Sequence, residues 1–106
     1  RTHNLSEKLH DVTAHAEIQA ITAASEYLGA KYLTTCTLYA TLEPCVMCAG
    51  ALYWSQIEKI VYAANDEKRG AGRFENKLYH PKTLVTKGPM EQECAQLLKD
   101  FFEKRR

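Results

Sequence analysis

The sequence predicts an α/β layered fold, built as one domain that covers residues 1–106. Segments with strand-like alternation are separated by segments with helical periodicity, and this order is typical of a sheet covered by helices. A length of 106 residues leaves room for one core but not for two. Hydrophobic residues make up 45% of the chain, which is enough to bury such a core.

The first predicted helix covers residues 14–28 and follows a polar, turn-like stretch at residues 1–12. Thr13 is the expected N-cap, because its hydroxyl can accept a backbone N–H of the first turn. Gly29 is the expected C-cap, because glycine readily adopts the left-handed conformation that ends many helices. We expect one apolar face of this helix to pack against a sheet. That face carries Ile18, Ile21, Ser25 and Leu28.

Strands and a second helix are predicted in the middle of the chain. Alternating residues predict the first strand over 36–41. Pro44 suits the first position of a helix that runs to about residue 54. Two further strands are predicted over 57–63 and 83–86, separated by a polar loop at 65–77.

The last predicted helix runs from about Glu91 to the C-terminus. Its apolar residues recur at helical spacing, so the helix is expected to lie on a sheet. They are Cys94, Leu97, Leu98, Phe101 and Phe102. Basic residues cluster in the 65–77 loop and at the C-terminus, and such clusters can bind phosphates. They are Lys68, Arg69, Arg73 and Lys77 in the loop, and Lys99, Lys104, Arg105 and Arg106 at the end.

Composition narrows the class of protein. A formal charge of +1 gives no general attraction for nucleic acid. No run of about 18 apolar residues is present, so no membrane partner is expected. No secretory signal is present either, and the cytoplasm is the expected compartment. Without a secretory context, the four cysteines indicate metal binding rather than disulfides.

Three residues have the spacing of a zinc site. Cys45 and Cys48 lie three residues apart at a predicted helix start, so both sulfurs can face one point. The positive end of the helix dipole favours thiolates there. His15 lies in the first turn of the other helix, so two helix starts can converge on one Zn²⁺. A catalytic zinc keeps its fourth position for water, and Glu17, two residues from His15, can exchange protons with that water.

Other interpretations of these residues stay open. Cys36 could complete a structural zinc site with four protein ligands, although its place on the apolar face of a strand favours a core residue. Cys94 is interpreted as core, and Glu43 as structural although it lies beside the metal. A zinc module that only binds nucleic acid or a partner is a further hypothesis. Glu17 argues against it, because a structural site needs no such carboxylate.

Three stretches carry a family resemblance. They are TAHAEI at 13–18, TLYATLEPCVMCAGAL at 37–52 and ECAQLLKDFF at 93–102. The first two contain H-x-E and P-C-x-x-C, the signature of zinc nucleobase deaminases. Together they closely resemble bacterial tRNA-specific adenosine deaminases of the cytidine deaminase-like superfamily.

The resemblance implies a three-layer α/β/α fold with a central mixed sheet. The family's N-terminal helix and first strand would precede Arg1. It also implies a homodimer that converts adenosine to inosine at the wobble position of a tRNA anticodon, so the expected partner is the anticodon stem-loop. One Zn²⁺ per chain would be held by His15, Cys45 and Cys48, with Glu17 as the catalytic proton shuttle.

Substrate contacts are also implied by the resemblance. The family's purine-contacting Asn matches Asn4, and Ala16 of the H-A-E motif is assigned to substrate binding. A family loop that touches RNA, Ala-Arg-Asp-x-Lys-x-Gly, matches ANDEKRG at 64–70. Asp66 and Lys68 are retained in this loop.

Two features depart from the family. Asn65 stands where the family's RNA-contacting loop has Arg. The pair Tyr53-Trp54 resembles guanine deaminases of the same superfamily. The alternative hypothesis is therefore a deaminase of free bases or nucleosides of the guanine or cytosine type, whereas the basic clusters favour RNA.

Overall fold

A computed structural model of the chain describes residues 1–74, 77–88, 92–93 and 96–97. Helices and strands alternate within them, which confirms the predicted α/β class. In chain order the elements are α1 (Ala16–Leu28), β1 (Thr37–Leu42), α2 (Val46–Ser55), β2 (Lys59–Ala64), a 3₁₀ turn (Ala71–Phe74) and β3 (Leu84–Lys87). Most of the predicted last helix, with Cys94, Leu98, Phe101, Phe102 and the C-terminal basic cluster, lies outside the described residues.

The three described strands form a parallel sheet in the order β1-β2-β3. Leu38 of β1 pairs with Ile60 of β2, which pairs with Val85 of β3. The resemblance implied a mixed sheet; an antiparallel strand of such a sheet is not among the described residues. Because the carboxyl ends of parallel strands meet at one edge, the segments that follow β1 and β2 lie side by side there.

The core lies between the sheet and both helices. Ile60 and Leu52 are fully buried, and Ile21 of α1 packs against the same cluster. On the opposite face of the sheet, Tyr39 and Leu84 are exposed. The third layer that the resemblance implies is not among the described residues.

The helix boundaries differ from the prediction by one or two residues. His15, not Thr13, is the N-cap of α1, because Thr13 is held in a separate turn by hydrogen bonds to the Asp11 carboxylate. The first residue of α2 is Val46, not Pro44, because the backbone of Cys45, the N-cap, is still extended. Leu28 was expected on the packed face of α1 but is 48% exposed. No helix among the described residues is long and apolar enough to cross a membrane.

Candidate metal and catalytic site

The starts of α1 and α2 converge at one point. His15 is the N-cap of α1 and Cys45 the N-cap of α2, and neither side chain caps its own helix. Cys48 follows in α2, where it is fully buried. The ligand atoms of these three residues lie within 4.8 Å of one another. The fold therefore leaves three metal-binding side chains facing a common point.

The distances within this group suit a tetrahedral metal ion. His15 Nδ1 lies 3.5 Å from Cys48 Sγ and 3.7 Å from Cys45 Sγ. Tetrahedral bonds of about 2.3 Å from zinc to sulfur and about 2.05 Å to nitrogen would put such atoms about 3.6 Å apart. Both nitrogen–sulfur distances therefore fit zinc, with Nδ1 as the histidine ligand atom.

The electrostatics of the group also favour a bound cation. Burial raises the pKa of the Cys48 thiol far above its ordinary value, and the Glu17 carboxylate and Cys45 raise it further. Groups that would carry like charges are thus crowded into a partly buried space. Two helix N-termini offset part of this repulsion. A divalent cation offsets the rest, since thiolates are the form of cysteine that binds a metal.

Glu17 and Cys36 differ in their relation to this group. Glu17 lies half-buried in the first turn of α1, beside the Cys48 thiol. Within the described residues it is not one of the grouped ligands, so its carboxylate can serve in proton transfer. Cys36 packs against the core cluster and is not in the group. The geometry therefore favours a site with an open position over a structural site closed by Cys36.

Asn4 lies in the N-terminal segment, which runs beside the start of α1, where Ala16 is the first residue. The Thr2 hydroxyl donates a hydrogen bond of 2.6 Å to the Ala16 carbonyl, which fixes the N-terminal segment along the helix. Asn4 is exposed, but its carboxamide oxygen accepts hydrogen bonds from the N–H and the hydroxyl of Ser6, at 2.8 and 2.7 Å. The oxygen of Asn4 is therefore engaged in its own turn, and a purine would meet its amide NH₂ group.

The loop of residues 65–74, here called the basic loop, follows β2. The Asp66 carboxylate accepts the N–H groups of Lys68 and Arg69, at 3.1 and 3.0 Å. Lys68 and Arg69 themselves are exposed, and Arg73 donates to the Lys68 carbonyl. Of the two residues expected to contact RNA, Asp66 thus shapes the turn, whereas Lys68 presents its ammonium group at the surface.

Glu43 has a larger part in the site than its sequence position indicated. Only 5% exposed, it accepts the N–H of Asp66 at 3.0 Å and the N–H of Gly72 at 2.7 Å. An isolated bridge between Cys45 and Gly70 runs beside these hydrogen bonds. One buried carboxylate thus connects the basic loop to the segment that carries a metal ligand. A glutamate directly before P-C-x-x-C was visible in the sequence, but its partners were not.

Tyr79 also borders the site and was not predicted. It is 5% exposed, and its hydroxyl has no hydrogen-bond partner within the described part of the chain. Burial raises the pKa of this phenol, and the nearby Glu43 raises it further. No motif or spacing in the sequence marks this residue.

The chain as a whole is similar to known deaminases. A family model for MafB19-like deaminases matches residues 1–106. The tRNA-specific adenosine deaminase of Aquifex aeolicus is 43% identical over 110 residues, which cover 100% of this chain and 73% of that protein. A solved structure from a study of A-to-I editing by tRNA:A34 deaminases has a TM-score of 0.80 and 41% identity, covering 90% of this chain and 72% of the other. A guanine deaminase from Nitrosomonas europaea has a TM-score of 0.81 and 28% identity, covering 94% and 63%. This chain therefore belongs to the MafB19-like deaminase family and, within it, groups with the tRNA-specific adenosine deaminases.

Proposed function

We propose that this chain is a zinc-dependent hydrolytic deaminase that converts adenosine to inosine at the wobble position of a tRNA anticodon. The observation that carries the proposal is the convergence of His15, Cys45 and Cys48 beside the Glu17 carboxylate. The substrate is supported by 43% identity to a tRNA-specific adenosine deaminase and by the fold shared with a tRNA:A34 deaminase. Because the relatives act on tRNA, we also propose a cytoplasmic location.

The proposed chemistry divides between the metal ligands and Glu17. His15, Cys45 and Cys48 would hold one zinc ion. When bound, zinc supplies a Lewis acid that lowers the pKa of a water from about 15.7 to near 7. The Glu17 carboxylate takes a proton from the attacking water, delivers it to the purine ring nitrogen and helps to protonate the leaving amine. A C–O bond forms at C6 as the C–N bond breaks, so adenosine and water give inosine and ammonia.

Substrate binding would use the surface around the metal ligands. A wobble base lies in a hairpin loop, where splaying it out costs less than opening a duplex. Asn4 and Ala16 would contact the flipped base, with Asn4 acting through its amide NH₂ group because its oxygen is engaged by Ser6. The exposed Lys68 and Arg69 would hold phosphates of the RNA backbone, while Asp66 keeps their turn in shape.

A homodimer is also proposed for this chain. Its support is the family resemblance and an exposed apolar patch on α2. Val46 is 46% exposed and Tyr53 is 38% exposed, and residues seven apart lie on nearly the same face of a helix. Trp54, next to Tyr53, is 76% exposed. Exposed apolar side chains that share one face are typical of protein interfaces.

The alternative substrate is a free base of the guanine type. It is favoured by the structural similarity to the Nitrosomonas europaea guanine deaminase and by the exposed Tyr53-Trp54 pair, whose rings pack edge to face at 5.7 Å.

The deciding experiment measures ammonia release. The zinc-loaded protein is compared on a tRNA anticodon stem-loop, adenosine, guanine, guanosine and cytosine. We expect the stem-loop to be the best substrate and its adenosine to become inosine. A clear preference for free guanine would overturn the proposed function.

A further inference from the structure

We propose that Glu43 is a positioning residue that fixes the basic loop against the metal-binding segment and so sets where RNA phosphates are held. The inference rests on the proposed function, because the basic loop is assigned to RNA only there. Glu43 itself is neither one of the grouped metal ligands nor exposed to substrate.

Both oxygens of the Glu43 carboxylate are used. Oε1 accepts the N–H of Asp66 at 3.0 Å, and Oε2 accepts the N–H of Gly72 at 2.7 Å. Donors in two different parts of the basic loop therefore meet on one side chain. Hydrogen bonds to a carboxylate are roughly twice as strong as those between neutral groups. Because the acceptor is 5% exposed, water competes little for them.

The close approach of the Glu43 carboxylate also accounts for the glycine at position 72. Its φ is not in the left-handed region, so its backbone conformation alone would permit alanine. A Cβ built at this position would overlap Oε2 of Glu43, and the three nearest atoms all belong to that carboxylate. At Gly70 a Cβ would meet both the Glu43 carboxylate and the Asp66 carbonyl. The absence of a side chain at Gly72 is thus explained by the space that the Glu43 carboxylate occupies.

The contact links the loop to the metal-binding segment through the chain itself. Glu43 is two residues before Cys45, and its own N–H donates to the Ala64 carbonyl at the end of β2. The Ala71 N–H donates to the Pro44 carbonyl at 3.0 Å. The buried carboxylate therefore connects two parts of the chain. One is the turn that exposes Lys68 and Arg69, and the other is the segment after β1 that carries the metal ligand Cys45. Weakening the hydrogen bonds to Glu43 should shift the charged side chains of Lys68 and Arg69 while leaving the metal ligands in place.

The test uses Glu43→Gln and Gly72→Ala in the zinc-loaded protein, with the exposed Glu58→Gln as a control for loss of one negative charge. Glutamine has one acceptor oxygen, so its NH₂ group must face one of the two N–H donors. We expect hydrogen exchange at the amides of Asp66 and Gly72 to become at least about tenfold faster. The KM for a tRNA stem-loop should rise about tenfold, as for the loss of one charge-assisted hydrogen bond, with kcat within about threefold and zinc content unchanged.

Coupling between the two residues sharpens the test. Gly72→Ala should reproduce the rise in KM in the native background, because the methyl group displaces the carboxylate. It should add nothing further in a Glu43→Ala background, where that space is vacant. Gly72 is exposed, so this variant also decides the matter if Glu43→Gln does not fold.

The outcomes separate the inference from the proposed function. If the unmodified protein does not deaminate the stem-loop, the proposed function fails and the positioning role fails with it. If the unmodified protein is active and the variants leave KM unchanged, only the inference fails, and Glu43 is a structural residue. Unchanged exchange at both amides would also overturn the inference. Faster exchange together with a raised KM supports it.

Discussion

Replacing Glu17 with glutamine tests the proton-shuttle role most directly. Glu17 is half-buried in the first turn of α1 beside the Cys48 thiol, and glutamine has nearly the same shape. The substitution therefore creates no cavity, and zinc should be retained because the three grouped ligands are untouched. General acid–base groups contribute about 10²–10⁴-fold to rate, so the barrier should rise by about 2.7–5.4 kcal/mol.

The assay for Glu17→Gln is single-turnover formation of inosine on a tRNA stem-loop, with zinc measured on the same sample. The exposed Glu58→Gln serves as the matched control and should keep both properties. Turnover of Glu17→Gln within about threefold of the unmodified protein would refute the shuttle role. Loss of zinc from the variant would instead make Glu17 part of the metal site.

Three further predictions concern metal, RNA and core. Removing zinc with a chelator should lower the melting temperature, because a ligand at 1,000 times its Kd stabilises the folded state by about 4.1 kcal/mol; calorimetry with and without chelator measures this. Replacing both Lys68 and Arg69 with glutamine should reduce the slope of log K for RNA binding against log salt concentration by at most about 1.4, or about 0.7 per phosphate contact. The exposed Lys31→Gln should leave that slope unchanged. Leu52→Ala should cost about 2–5 kcal/mol in denaturant unfolding at fixed zinc, because Leu52 is fully buried; a cost under about 1 kcal/mol would contradict its place in the core.

Local patterns predicted the elements well and their ends less well. Apolar periodicity placed a helix at residues 14–28, and the structure has it at Ala16–Leu28. Thr13 looked like the better cap, but its hydroxyl is engaged by Asp11, and the chain enters the helix two residues later. A capping preference is worth only about 1 kcal/mol, so a competing local turn can shift a boundary.

The metal group could be predicted and the Glu43 contact could not, for a physical reason. Metal ligands are recognised by residue type, and two of them lie at spacing that a helix start brings together. Glu43 and Gly72 are 29 residues apart and meet only because β1 and β2 pair in parallel. No periodic pattern in the sequence predicts the contact between Glu43 and Gly72. The glycines of the loop suggested a turn, although Gly72 lacks a side chain because of a buried carboxylate.

The two helix N-caps show how ligand placement and helix stability oppose each other in this site. His15 and Cys45 occupy positions where Ser, Thr, Asp or Asn would accept a backbone N–H, and neither makes that hydrogen bond. The metal-free protein should therefore begin both helices less stably than a capped sequence would. Zinc binding would offset this loss of helix stability, because it fixes His15 and Cys45 in place.

Cys45→Ser tests this opposition with one atom changed. The backbone of Cys45 is already extended, at φ −75° and ψ 175°, so a serine hydroxyl could cap α2 without a change of chain path. We expect the metal-free variant to be more stable than the metal-free native protein by about 1 kcal/mol, or about 4 °C in melting temperature. In excess zinc the order should reverse, because the variant has lost a thiolate ligand. Cys36→Ser, a half-buried position at the core edge, is the control and should be destabilised equally with and without zinc. Melting curves of all three proteins with chelator and with zinc provide the measurement, and a metal-free Cys45→Ser that melts below the metal-free native protein would show that this position is not a vacant cap.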